Sequence, residues 1–173
     1  MLHELNISLL FYFVAIMIWV LVTYKIGDWR NWKVYYPTIL FFCCGNLIGF
    51  LVFNSCHFWQ FRSTILSHAT IDILQMIFIF TCTTIIFLQY YPNGIFKQVF
   101  YILLWVIAYT SIEWFFNRIG GIVYSHGWTI WLSFAHNIYQ FILLKIHLHK
   151  PVLAWILSFI ILGLFMSVFK VNI

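Results

Sequence analysis

The stretch LSHATIDILQMIFIFTCTTIIFLQY, residues 66–90, decides the fold class of this chain. It is long enough to cross the hydrocarbon core of a bilayer, which takes about 20 mostly apolar residues in a helix. Its first turns nevertheless hold His68 and Asp72, four residues apart and therefore on one helix face. The stretch predicts a membrane-spanning helix with a polar stripe, and the partner of that stripe is the question the sequence raises.

The composition of the whole chain agrees with a membrane location. Of the 173 residues, 64% are hydrophobic and only 8% are charged, whereas a soluble domain carries about 25% charged residues. So few charges cannot cover a surface that faces water, so we predict an integral membrane protein whose main partner is the lipid bilayer. The basic residues occur singly near the ends of apolar runs, which is typical of interface anchors and not of a nucleic-acid-binding surface.

Cutting the chain at charged and turn-forming clusters predicts an all-α integral membrane bundle of six transmembrane helices, with five as the alternative. The whole of residues 1–173 is expected to form a single polytopic membrane domain. The predicted spans are roughly 6–25, 35–55, 65–90, 97–117, 128–146 and 151–170. Pro37 is expected in the first turn of the second helix, where its missing N–H costs little.

The basic residues also predict an orientation, because short cytoplasmic loops are enriched in Lys and Arg. One set of helix ends carries six of them and the opposite set carries three. The larger group comprises Lys25, Arg30, Lys33, Lys97, Lys145 and Lys150, and the smaller comprises Arg62, Arg118 and Lys170. We therefore predict a multi-pass protein of the cell membrane with both termini on the outer side.

Polar residues recur at helical spacing in three of the six runs, and the second run adds Asn46 between two glycines. Thr64, His68, Asp72 and Gln75 share one face of the third predicted helix, and Glu113 lies in the fourth. An ionisable group inside a membrane costs at least about 2.5–3.5 kcal/mol, so it should face the bundle interior. We predict a polar pocket between helices two to five, open to the outer face. Its candidate residues are His68, Asp72, Glu113, His136, Asn137, Asn46 and Gln75.

Three uses of such a pocket remain open at this stage. The first is the binding of a small ligand or a proton, since carboxylates and histidines within membrane helices suit both tasks. The second is a divalent metal held by His68, Asp72 and Glu113, which would activate a water in a membrane-embedded hydrolase or transferase acting on lipid. No HExxH or GxSxG motif supports catalysis, so the sequence leaves enzymatic activity uncertain.

The third use is purely structural, with the chain serving as a subunit of a membrane complex. Polar side chains between membrane helices are often simple packing contacts worth about 0.6 kcal/mol each. Gly45 and Gly49 form a small-xxx-small pattern that permits close approach of another helix. This pair is therefore the predicted contact for a homo-oligomer or a membrane partner.

Several segments together resemble a known family. They are GDWRNWKVYYPTILFF, LSHATIDILQM, YTSIEW, HGWTIWLSFAHN and HKPVLAWILS, which cover most of the chain beyond the first helix. In these motifs the chain resembles a family of small uncharacterised multi-pass membrane proteins of spore-forming Firmicutes. The resemblance implies a bacterial cytoplasmic membrane. It implies no activity and therefore no catalytic residues.

Overall fold

The computed structural model describes residues 2–53, 56 and 58–170, with side chains from residue 7 onward. Within these residues the fold is an all-α bundle, as predicted, because a backbone in lipid must satisfy its own hydrogen bonds. Its six long helices are α1 (Leu2–Ile26), α2 (Trp32–Val52), α3 (His68–Gln89), α4 (Ile95–Arg118), α5 (Ile130–His149) and α6 (Pro151–Phe169).

Five of the six helices are long and apolar enough to cross a membrane, and α5 is the exception. This helix has 20 residues but carries polar side chains along most of its length. It packs against α2, α4 and α6, so its neighbours shield those side chains from lipid. The least apolar helix therefore lies where polar residues cost least.

Two helices begin three residues from their predicted starts, 35 and 65. α2 begins at Trp32 after a single 3₁₀ turn, Trp29–Asn31, so Pro37 lies inside the helix and not in its first turn. α3 begins at His68, because the Ser67 hydroxyl accepts the Thr70 backbone N–H and caps the helix. Thr64 therefore precedes the helix and does not belong to the polar stripe of α3.

The middle of α3 departs from α-helical geometry. Residues Gln75–Phe80 form a π-helical segment between the α-helical parts His68–Leu74 and Thr81–Gln89. Wider turns of this kind leave carbonyl groups without their usual partner. The Met76 carbonyl accepts from the Cys43 thiol at 3.6 Å and from the Thr81 hydroxyl at 3.4 Å. The segment thus ties α3 to α2 just below the polar stripe.

A two-stranded antiparallel sheet, which the sequence did not predict, closes one end of the bundle. β1 (Trp59–Phe61) pairs with β2 (Ile122–Tyr124), and Trp59 lies opposite Tyr124. Backbone bonds from Arg62 to Gly121 and from Ser125 to Phe58 extend the pairing on both sides. The sheet holds the segment before α3 against the segment after α4.

The opposite end of the bundle is densely packed. Phe87, Val106, Phe141 and Ala154, from four different helices, have no exposed surface. These residues define what we call the packed half. The Gln89 side-chain amide donates to the carbonyl of Ile26 at 2.8 Å, which joins the ends of α1 and α3 there. Lipid tails are as apolar as these side chains, so close packing supplies the stabilisation here.

Candidate functional site

A cavity of about 310 Å³ occupies the half of the bundle next to the sheet, which we call the cavity half. Pockets that bind small molecules have volumes of about 300–1,000 Å³. All seven residues that the sequence singled out line this one cavity. They are Asn46 from α2, His68, Asp72 and Gln75 from α3, Glu113 from α4, and His136 and Asn137 from α5.

The wall of the cavity includes α6, a helix that the sequence did not predict to line it. We expected a pocket between helices two to five, but α6 also lines it, through Trp155, Ser158, Phe159 and Phe165 among others. The ring of Trp155 lies 4.9 Å from that of Phe41 on α2, and both side chains line the cavity. Helices α2 and α6 therefore contact each other beside the cavity.

Gly45 and Gly49 of α2 give the cavity part of its width. A Cβ built on either glycine would meet no atom within 4 Å, so this face of α2 does not pack closely against another helix of the chain. Both glycines line the cavity. The small-xxx-small pattern therefore leaves open space within this chain, and its predicted role in a homo-oligomer or partner contact stays a prediction.

His68 and Asp72 lie side by side on the first turns of α3. His68 Nε2 lies 3.5 Å from Asp72 Oδ2. His68 Nδ1 lies 3.3 Å from the backbone nitrogen of Phe61, which can only donate. Nδ1 is therefore the acceptor, so the proton of a neutral imidazole is on Nε2 and points toward the aspartate. Asp72 itself is buried. The Phe61 backbone N–H in β1 thus fixes the His68 tautomer whose proton is directed to this carboxylate.

Glu113 is held by a directed chain of hydrogen bonds. The Trp128 indole N–H donates to the Ser133 hydroxyl oxygen at 2.8 Å. Because an indole can only donate, the single hydroxyl proton of Ser133 is free to point toward Glu113 Oε1. The Tyr124 hydroxyl donates to the same oxygen at 2.8 Å. Two donors thus converge on one carboxylate oxygen, and they offset part of the cost that burial imposes on its charged form.

Tyr124 remains a donor over the whole physiological range. Burial raises the pKa of its phenol, and the hydrogen bond to Glu113 and the negative charge of that residue raise the pKa further. The phenol therefore keeps its proton while it holds the carboxylate. The register of the sheet, with Trp59 opposite Tyr124, brings β2 to Glu113.

The remaining polar residues of the cavity have more local partners. The Asn137 amide donates to the Thr110 hydroxyl on α4 at 3.1 Å, and His136 Nδ1 pairs with the Tyr139 hydroxyl one turn along α5. Gln75 Oε1 is buried and has no hydrogen-bond partner within the described residues. An unpaired buried oxygen of this kind is costly in an apolar setting, and it lies on the cavity wall.

The predicted metal site is not assembled. Among residues 2–53, 56 and 58–170, no group of three or more His, Cys, Asp or Glu side chains could hold a metal ion. His68 and Asp72 pair with each other, whereas Glu113 is bound to Tyr124 and Ser133. The three proposed ligands share a cavity but do not converge on one point.

Sequence reasoning missed the residues that the sheet contributes. Trp59 lines the cavity, although no helical spacing places it there. Tyr124 gave no signal, because a donor on a short loop strand has no helical period to reveal it. Only the pairing of β1 with β2, about 60 residues apart in the chain, brings these side chains to the carboxylates.

Comparison of the chain with protein-family models, curated proteins and solved structures finds no match. The resemblance to membrane proteins of spore-forming Firmicutes therefore stays a prediction.

Proposed function

We propose that this chain is a multi-pass protein of the bacterial cell membrane that binds a small, mainly apolar molecule with one polar end. The observation that carries the proposal is the cavity itself. Its walls are chiefly aromatic and aliphatic, and a few polar groups converge on it from four helices, which is the usual composition of a ligand pocket. Gly45 and Phe159 line it and are also exposed on the surface of the bundle. A molecule dissolved in the bilayer could therefore enter between α2 and α6.

The experiment is to fill the cavity and look for the loss of a bound molecule. Gly45→Trp places a large ring where an added Cβ meets open space. Gly163→Trp is the matched control, because Gly163 also has no neighbour within 4 Å of an added Cβ but does not line the cavity. Native mass spectrometry of the purified proteins should show a small molecule on the parent chain and on Gly163→Trp, and none on Gly45→Trp.

The same pair of variants distinguishes the structural alternative. A chain that serves only as a subunit of a complex would carry no bound molecule in any form. In that case Gly45→Trp should instead change the oligomeric state or the partner recovered with the protein, since Gly45 and Gly49 would form the contact. Binding that survives in Gly45→Trp would contradict the ligand-binding proposal.

A metal-dependent enzyme is the weaker candidate. The described residues contain no metal-holding group, and the hydrogen bonds of Glu113 already occupy one of its oxygens. We therefore place binding ahead of catalysis.

The orientation is a separate part of the proposal. Contacts between the ends of α1 and α3 and between Tyr91 and Lys145 gather the lysine-rich ends of the helices at the packed half. The positive-inside rule then puts the packed half toward the cytoplasm and the cavity half outward. A cysteine introduced at Asn93 should resist a membrane-impermeant thiol reagent in intact cells. Labelling of that cysteine beyond the background of the parent chain would reverse the orientation.

A further inference from the structure

We propose that the polar end of the bound molecule is a cation, an amine or a quaternary ammonium group, seated between Glu113 and the aromatic cluster formed by Phe58, Trp128, Tyr139 and Phe165. This inference rests on the proposed ligand-binding function and names the class of the ligand. It is argued from the charge of the cavity and from the rings that surround it.

The cavity is lined by two carboxylates and two histidines, His68 and His136, and by no permanently cationic side chain among the described residues. The carboxylates belong to Asp72 and Glu113. Asp72 has His68 as its partner. Glu113 has hydroxyl donors but no cationic side chain in the ion pairs of the described residues.

The nearest basic residue along α4 is engaged elsewhere. The Arg118 guanidinium lies over the ring of Trp114, 5.3 Å from its centroid, and Arg118 does not line the cavity. An intramembrane carboxylate is expected to find a counter-charge. Tyr124 and Ser133 donate to the Glu113 carboxylate, and a cation supplied by the ligand would give it the counter-charge that no Lys or Arg on the described cavity wall provides.

The rings around the cavity suit a cation with apolar substituents. The Trp128 ring centroid lies 5.7 Å from that of Phe58 and 6.0 Å from that of Phe165, and the Tyr139 ring lies 6.1 Å from Phe165. All four rings line the cavity. Electron-rich ring faces attract ammonium groups, and clusters of such rings recognise quaternary ammonium ligands. Trp128 also reaches Glu113 through Ser133, so the rings and the carboxylate belong to one site.

The rest of the ligand would lie toward the gap between α2 and α6. Gly45, Gly49 and Phe159 line that side of the cavity and offer no polar side chain. An alkyl chain there would continue into the lipid without losing apolar surroundings. The cavity thus fits a cationic amphiphile, with the head at Glu113 and the chain toward the bilayer.

The test uses hexyltrimethylammonium as the probe, titrated calorimetrically into the protein in micelles of a neutral maltoside detergent. Hexyl glucoside and hexyl sulfate are the neutral and anionic probes with the same chain. We expect the cation to bind the unaltered protein at least about tenfold more tightly than either, since interactions with charged groups are the stronger ones. Equal binding of the three probes would overturn the inference, and this comparison requires no variant.

Two variants locate the site. Glu113→Gln should weaken binding of the cation at least about tenfold, because it removes the charge but keeps the shape. Asp28→Asn is the control, since Asp28 lies between α1 and α2 at the packed half and does not line the cavity. Unchanged affinity in Glu113→Gln would overturn the inference.

The two proposals can fail separately. If Gly45→Trp displaces a neutral or anionic molecule found on the parent chain, the ligand-binding function stands and the cationic class is wrong. If no molecule or probe distinguishes Gly45→Trp from Gly163→Trp, both proposals are wrong.

Discussion

The packed half and the cavity half of this bundle are built largely from the same helices, yet side chains fill the first and open space occupies the second. In the packed half, side chains such as Phe87 and Phe141 have no exposed surface and fill the space between helices. In the cavity half, α2 and α6 carry glycines, aromatic residues and one serine around open space. Close packing at one end therefore holds the helices together, whereas the other end contains a void and buried polar groups.

Helix α5 shows the contrast within one element. Its first turns present Ser133, His136 and Asn137 to the cavity, whereas Phe141, about one turn after Asn137, belongs to the packed core. Polar groups in a membrane protein need either partners or a functional reason to be there. Ser133, His136 and Asn137 lie in the half that has room for a ligand, whereas the buried His147 at the other end is paired with the Thr38 hydroxyl.

The largest expected effect comes from opening a void in the packed half. Phe87→Ala should lower the free energy of unfolding by about 2–3 kcal/mol, mainly through the cavity it leaves, because lipid is as apolar as the lost ring. Phe165→Ala, at the existing cavity, should cost less than about 1 kcal/mol, since its ring already borders open space. Unfolding in a series of sodium dodecyl sulfate mole fractions measures both. Similar losses would mean that the two halves contribute alike to stability.

The next effect tests the polar chain to Glu113. Ser133→Ala should cost about 1–3 kcal/mol, because it leaves the Trp128 N–H unpaired and takes one donor from the carboxylate. Ser158→Ala is the matched control on the same cavity, since the Ser158 hydroxyl only donates to the Ala154 carbonyl within its own helix. The same denaturant series compares them. An equal effect of the two changes would mean that the hydrogen bonds around Glu113 add no stability.

A smaller effect distinguishes open space from close contact at two glycines. Gly121→Ala should destabilise by about 1 kcal/mol, because its Cβ would lie 2.9 Å from the Ser8 Cβ and force a shift. Gly45→Ala should be neutral or stabilising by up to about 1 kcal/mol, since alanine is the better helix former and the new Cβ meets nothing. Thermal unfolding followed by circular dichroism measures whether each substitution lowers or raises the stability. Loss of stability in Gly45→Ala would indicate that another helix packs on that face.

The smallest effect concerns the rim of the cavity half. Arg118→Gln should change stability by no more than about 0.5 kcal/mol, because its contact with Trp114 is exposed. It should also leave binding of hexyltrimethylammonium unchanged. Scanning calorimetry of the variant measures its stability, and titration calorimetry measures its binding of the cation. A large loss of stability or of binding would show that Arg118 interacts favourably with the Glu113 carboxylate.

Much of the site could be predicted because helical period is a local property. Spacings of three and four residues placed His68, Asp72 and Gln75 on one face, and the cost of an intramembrane charge pointed that face and Glu113 inward. The same reasoning could not distinguish residues that line one cavity from residues that bind one metal ion. Ligand geometry depends on distances between helices, and His68 turned to Asp72 and β1 while Glu113 turned to Tyr124 and Ser133.

The sequence by itself determined that this is a bundle of membrane helices and which faces of those helices are polar. Apolar length and helical period encode both properties within about 20 residues, without reference to distant parts of the chain. Tertiary contacts determine that α6 forms part of the cavity wall and that the glycines of α2 face open space. They also bring Trp59 to the cavity and Tyr124 to Glu113 through a pair of strands. Those features depend on contacts between residues far apart in the chain, which no local pattern records.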